Sequence, residues 1–160
     1  MKSKTPADWI ARISISSAEV NAWLVGVSEK HWLNLVEETW TIKDLIGHLA
    51  AWSDFLVDQI DALVQGNFDK IKRIDIDHWN AAQIAVRRSR SVVEIRKEWE
   101  RAVQRTQNVI TQLPEEIFAC RWSVAWSKEP VTIEDLLNLW LLHLQQHQEV
   151  WESTHQRRKK

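Results

Sequence analysis

The chain has no tyrosine, one cysteine, three glycines and three prolines in 160 residues. A lone Cys120 cannot close an internal disulfide, which argues against a small secreted scaffold held by cystines. So few breakers over such a length favour long helices with short or polar joints. No apolar run approaches the roughly 20 residues that a membrane span needs. The opening MKSKTPADW has no apolar stretch of a secretory signal, so the expected location is a bacterial-type cytosol. Charge of one sign is missing too: 21 Lys and Arg against 22 Asp and Glu leave a net charge of -1. Nucleic acid and anionic membranes, which require a concentrated positive field, are poor partners, and a small-molecule substrate is the better expectation. Arg87, Arg88, Arg90 and the terminal QRRKK are the locally basic stretches, read as solvated charge near helix ends.

What the chain has in excess is tryptophan, eleven in all. With 44% apolar and 27% charged residues the composition is that of an ordinary globular protein, and residues 1–160 fit a single domain. Tryptophan fills a core well, and some of the eleven are expected to line a pocket instead. Cys120 reads as a small buried residue rather than a nucleophile.

Periodicity predicts an all-α bundle, up-and-down-like, with one long connection allowed. A first helix starts after Thr5 and Pro6 and runs towards Val27; a joint spans Ser28 to Trp40. Thr41 with Asp44 opens the second helix, which ends near Gly66, and Asp75 to Arg88 also reads as helical. Ser91 with Glu94 marks a capping box, at which the third long helix restarts or bends before running to about Gln112. Pro114 ends it, Glu115 to Phe118 form a short turn, and Arg121 to Pro130 are irregular with at most a brief extended piece. Thr132 with Asp135 opens the last helix.

The two starts Thr41-Ile-Lys-Asp-Leu-Ile and Thr132-Ile-Glu-Asp-Leu-Leu supply a common ruler. His48 lies seven residues beyond its cap, and His143 and His147 lie eleven and fifteen beyond theirs, each about one turn apart on the same relative face. That face is apolar, shared with Leu45, Trp52 and Phe55 on one helix and with Leu136, Trp140 and Val150 on the other. One such imidazole is ordinarily a satisfied core residue, since burial is costly without partners. Three together point to a divalent metal, because an i,i+4 pair and a third ring from a facing helix can grip one ion. His31, His78 and His155 lack such an arrangement and read as surface or joint residues. The pair His143-Leu-Gln-Gln-His147 has the spacing of a zinc protease helix, but Leu144 stands where the glutamate is needed. A di-iron site is ruled out because Leu45, Trp140 and Leu144 occupy the positions three before the histidines.

These residues carry a family resemblance. The stretch Trp40-Thr-Ile-Lys-Asp-Leu-Ile-Gly-His48-Leu-Ala-Ala-Trp52, Trp79-Asn80-Ala-Ala, and Leu136 to Trp151 with its His-x-x-x-His resemble the DinB-like superfamily of bacterial four-helix bundles, over nearly the whole chain. The superfamily includes thiol-dependent transferases, mycothiol-dependent maleylpyruvate isomerases and a ClbS/DfsB-like self-protection branch. The resemblance implies a metal triad of His48, His143 and His147 and a low-molecular-weight thiol as co-substrate; three neutral imidazoles with an open position suit zinc or nickel, or else iron or cobalt. It also implies, with the surplus of tryptophan, a homodimer in which Trp99 and Trp151 are the candidates for exposed contact. Trp52, Trp79, Asn80 and Trp140 are expected to border the substrate pocket: two lie one turn from a ligand and two start the facing helix. Three functions compete: a metal-dependent thiol transferase or isomerase, a non-catalytic binding or sequestering protein using the same pocket, and a bundle whose histidines are structural.

Overall fold

The computed structural model describes residues 4–36, 39–71 and 73–158, with side chains as far as Ser153. The expectations for His155 and the basic tail therefore lie outside the described side chains. The helices are α1 (Pro6–Trp23), α2 (Ile42–Val64), α3 (Ile76–Ala85), α4 (Val92–Gln112) and α5 (Ile133–Arg158). Short 3-10 turns, Glu29–Leu33, Phe68–Lys70 and Glu115–Ala119, occupy the joints. Extended pairing among the described residues is limited to two isolated antiparallel bridges, Leu35 with Thr41 and Trp122 with Val131. No helix among these residues is long and apolar enough to cross a membrane.

Four helices open with one device. The Thr41 hydroxyl accepts the Asp44 N–H at 3.1 Å while the Asp44 carboxylate accepts the Thr41 N–H at 3.0 Å. Thr5 with Asp8, Ser91 with Glu94 and Thr132 with Asp135 repeat it, so two of the orphan donors at each start are satisfied. The shorter Asp succeeds because the threonine hydroxyl also donates to it, at 2.7 Å for Thr41. At Ser91 the chain starts a new helix rather than bending an old one. α1 stops at Trp23, short of the expected Val27, because the chain leaves the helix through Gly26 at φ +77°.

Side-chain contacts fix the directions. α1 and α5 run parallel, with Arg12 on Asn138 at one end and Trp23 stacked on Trp151 at the other. α2 and α4 also run parallel: Gly47 lies beside Ile95, and Asp54 and Asp58 bind Arg105. α4 is antiparallel to α1 (Trp99 on Asn21, Gln107 on Ser14), and α5 to α2 (Trp140 on Ser53). The order is therefore up, down, down, up, not the alternating arrangement expected, and the long connection is residues 65–91, which carries α3 across.

The core is continuous from Trp9 and Ile13 through Leu45, Leu49 and Ile60 to Ile95, Ile110 and Leu137. Four sequence readings fail here. Trp99 is 1% exposed and Trp151 is 5% exposed, so neither offers a contact surface. The Trp99 indole N–H donates to Asn21, and Trp151 is covered by Trp23 at 5.7 Å. Arg87 is not solvated charge: its side chain is mostly covered and pairs with Glu98 at 2.7 Å. Cys120 is exposed, because it follows the turn Glu115–Ala119, whose Phe118 is the residue sunk into the core.

Candidate metal centre

The antiparallel seam between α2 and α5 brings the three histidines face to face. His48 sits in the second turn after the Thr41 cap, and His143 and His147 meet it from successive turns of α5. Their ring centroids are 4.6, 4.9 and 5.1 Å apart. His143 Nε2 lies 3.0 Å from His48 Nε2 and 2.9 Å from His147 Nε2, and one candidate ligand atom from each ring falls within 4.8 Å of the others.

This donor set fits a divalent ion. Each neutral ring nitrogen offers either one lone pair or one N–H, so His143 Nε2 cannot make two good hydrogen bonds with its two neighbours. A cation taking one lone pair from each ring satisfies all three together. Two nitrogens each about 2.1 Å from one ion lie about 3.0 to 3.4 Å apart between right-angled and tetrahedral geometry. Only small ring movements separate such a set from the arrangement seen.

His48 is 2% exposed, whereas His143 and His147 are half-buried, so the site is closed on the α2 side and open on the α5 side. Burial, reinforced by His143, His147 and Arg87, lowers the His48 pKa from 6.5 to about 2, which keeps it in the neutral form a metal requires. Its Nδ1 is buried without a hydrogen-bond partner among the described residues.

Aromatic rings wall the cluster. Trp40 lies over His48 at 4.6 Å and nearly parallel to His147 at 6.2 Å. Trp52 turns an edge to His143 at 5.7 Å and to His48 at 6.2 Å. Trp79 packs on Trp52 at 4.5 Å, and Phe55 closes the group against both. Asn80 accepts the Trp52 indole N–H at 3.0 Å and thereby ties α3 to the site; among the described residues it caps no backbone group. The structure thus joins Trp52, Trp79 and Asn80 beside the histidines. Trp140, one turn from His143, is 4% exposed and gives its N–H to Ser53 at 3.0 Å, a core role behind the α2/α5 seam. His31 and His78 are exposed, as read from sequence.

Two wall residues were not picked out as pocket residues by sequence reasoning. Trp40 precedes the Thr41 cap and so lies outside the helical period, but a large residue at that position commonly packs back over the first turns. Phe55 follows Trp52 by three, the spacing that places it on the same side of α2.

None of the curated proteins matches the chain. The fold is that of the mycothiol-dependent maleylpyruvate isomerase, at TM-score 0.77 and 15% identity over 94% of this chain and 63% of that one. The chain therefore spans less than two thirds of the isomerase. Uncharacterised proteins from Clostridium difficile 630 (TM-score 0.80, 9% identity, 98% of each chain) and Escherichia coli UTI89 (0.78, 12%, 97% and 95%) share the fold along nearly their whole lengths. Residues 5–150, which hold all three histidines and every wall residue, match the family model of the DinB superfamily, and the protein belongs to that superfamily.

Proposed function

We propose that the protein is a metal-dependent enzyme acting on a small electrophile, by transfer of a low-molecular-weight thiol or by thiol-assisted isomerisation. The observation that carries this reading is the convergence of three imidazoles, one buried and two half-buried, against an aromatic wall. A divalent ion held by His48, His143 and His147, zinc or nickel before iron or cobalt, supplies a Lewis-acid position that favours a thiolate near neutral pH. The chain's own residues do the rest. Trp40, Trp52, Phe55 and Trp79 exclude water and offer flat apolar faces to a substrate. Asn80, its oxygen held by Trp52, keeps its amide hydrogens for an acceptor on the substrate. In an addition, sulfur bonds to the electrophilic carbon as the π bond opens and the thiol proton passes to the neighbouring atom; in isomerisation the bond then rotates, the C–S bond breaks, the π bond re-forms and the proton returns to the thiol. The fold shared with a mycothiol-dependent isomerase supports this chemistry.

We place the protein in the bacterial cytoplasm as a homodimer. With Trp99 and Trp151 buried, the groove between α1 and α5, where Ile15 and Leu142 are exposed, is one surface that offers such a contact. Light scattering that finds a monomer at high micromolar concentration rejects the dimer. For the activity, metal-replete protein is screened against thiols and electrophiles beside His48→Ala. A rate above that of the variant is expected; equal rates reject catalysis. A ligand recovered unchanged from the pocket would establish the alternative, sequestration.

A further inference from the structure

Gly47 immediately precedes His48 in the interior of α2, where glycine is a poor helix former. A Cβ there would lie 2.9 Å from Arg87 Cδ, so the glycine forms a notch through which the arginine passes. Beyond the notch Arg87 Nε and Nη2 both donate to Glu98 Oε1, at 3.2 and 2.7 Å, and Nη1 donates to the Gln83 carbonyl and side-chain oxygens. Arg90 Nη1 donates to the other Glu98 oxygen at 2.7 Å. Side-chain exposure is 11% for Arg87 and 5% for Glu98, so this charge pair is largely withdrawn from solvent, and the arginine reaches it past the residue that precedes His48.

We propose that Glu98 is a positioning residue for the metal centre, whose carboxylate fixes and neutralises Arg87 behind Gly47 so that a divalent cation can bind beside it. The inference rests on the reading of the three histidines as a metal site. A fold needing only a filled corner is served as well by apolar residues of the same shape, since buried ion pairs contribute little net stability. The placement matters because charges out of water act on one another strongly over short range. A doubly charged ion on the histidines would be repelled by a positive charge held against the α2 backbone one residue before His48.

The test is the affinity of the whole protein for Zn(II), measured by competition with a chromophoric chelator at one pH. Glu98→Gln, which keeps the shape and leaves Arg87 uncompensated, is expected to weaken binding about tenfold. Arg87→Met, which leaves Glu98 paired to Arg90, is expected to tighten it by about the same factor. The double variant should return close to the starting affinity. A merely structural pair would weaken both single variants or leave both unchanged, and either result overturns the proposal. If Glu98→Gln fails to fold, Arg87→Met alone decides: tighter binding supports the charge role and any other result ends it. A parent protein that binds no Zn(II) would instead reject the metal centre itself, whereas binding that ignores the sign of the substitution rejects this inference alone.

Discussion

α3 and α4 stand on either side of one turn and are held by different forces. None of the ten residues of α3 is buried, whereas α4 sinks Ile95, Glu98, Trp99, Ala102, Thr106 and Ile110 into the bundle. What fixes α3 is the Asn80 bond to Trp52, the rings of Trp79, Trp52 and Phe55, and the Arg87 pair just past its end. The difference teaches that a helix can be kept for what it covers. α4 is bound to the core and α3 to the site.

The comparison breaks first if the core helix proves tolerant. Trp99→Ala should cost about 3 to 5 kcal/mol in chemical denaturation, the range for deleting a fully buried aromatic ring. An effect near zero would mean that α4 is not the anchor.

Metal removal ranks next. An ion at a hundred times its dissociation constant should stabilise the parent by about 2.7 kcal/mol, and His48→Ala should abolish that increment in a thermal melt. The metal-free protein should also be acid-sensitive. His48 has a folded pKa of about 2 against an ordinary 6.5, so below pH 6.5 the unfolded chain takes a proton that the folded one refuses. Stability then falls as pH drops through that window, by up to about 1.4 kcal/mol per pH unit, and His48→Ala should flatten the slope.

Ser91→Ala, at the boundary of the two helices, should cost about 1 kcal/mol by removing the cap of α4. Hydrogen exchange should locate the loss in the first turn of α4. The smallest stability effect is expected from Trp79→Ala on α3, about 1 kcal/mol or less. The same variant should lower turnover or ligand binding far more than it lowers the melting temperature. Equal penalties for Trp79→Ala and Trp99→Ala would erase the distinction.

Much of this was legible in the sequence because it is local. Caps at Thr41, Ser91 and Thr132 depend on residues three apart, and the helical period counted from two of them puts His48, His143 and His147 on equivalent faces. Helix direction was not legible, because a buried stripe reads the same whether its neighbour runs parallel or antiparallel. Trp40 was hidden for another reason: its place over His48 is set by chain geometry before the cap, where no period applies. Burial of Trp151 depends on Trp23, a partner that only the parallel pairing of α1 with α5 provides.

That pairing has a kinetic consequence. Helical bundles fold fast when successive helices zip into hairpins, since little chain must be closed before contacts form. Here the tie between α2 and α4 joins Asp54 to Arg105, 51 residues on, and the tie between α1 and α5 joins Arg12 to Asn138, 126 residues on. The crossover through residues 65–91 lies inside both separations and lengthens them. Each such closure costs chain entropy before any burial compensates it, so this protein belongs with the slow folders of the helical class, and its histidines meet only after most of the chain has found its place.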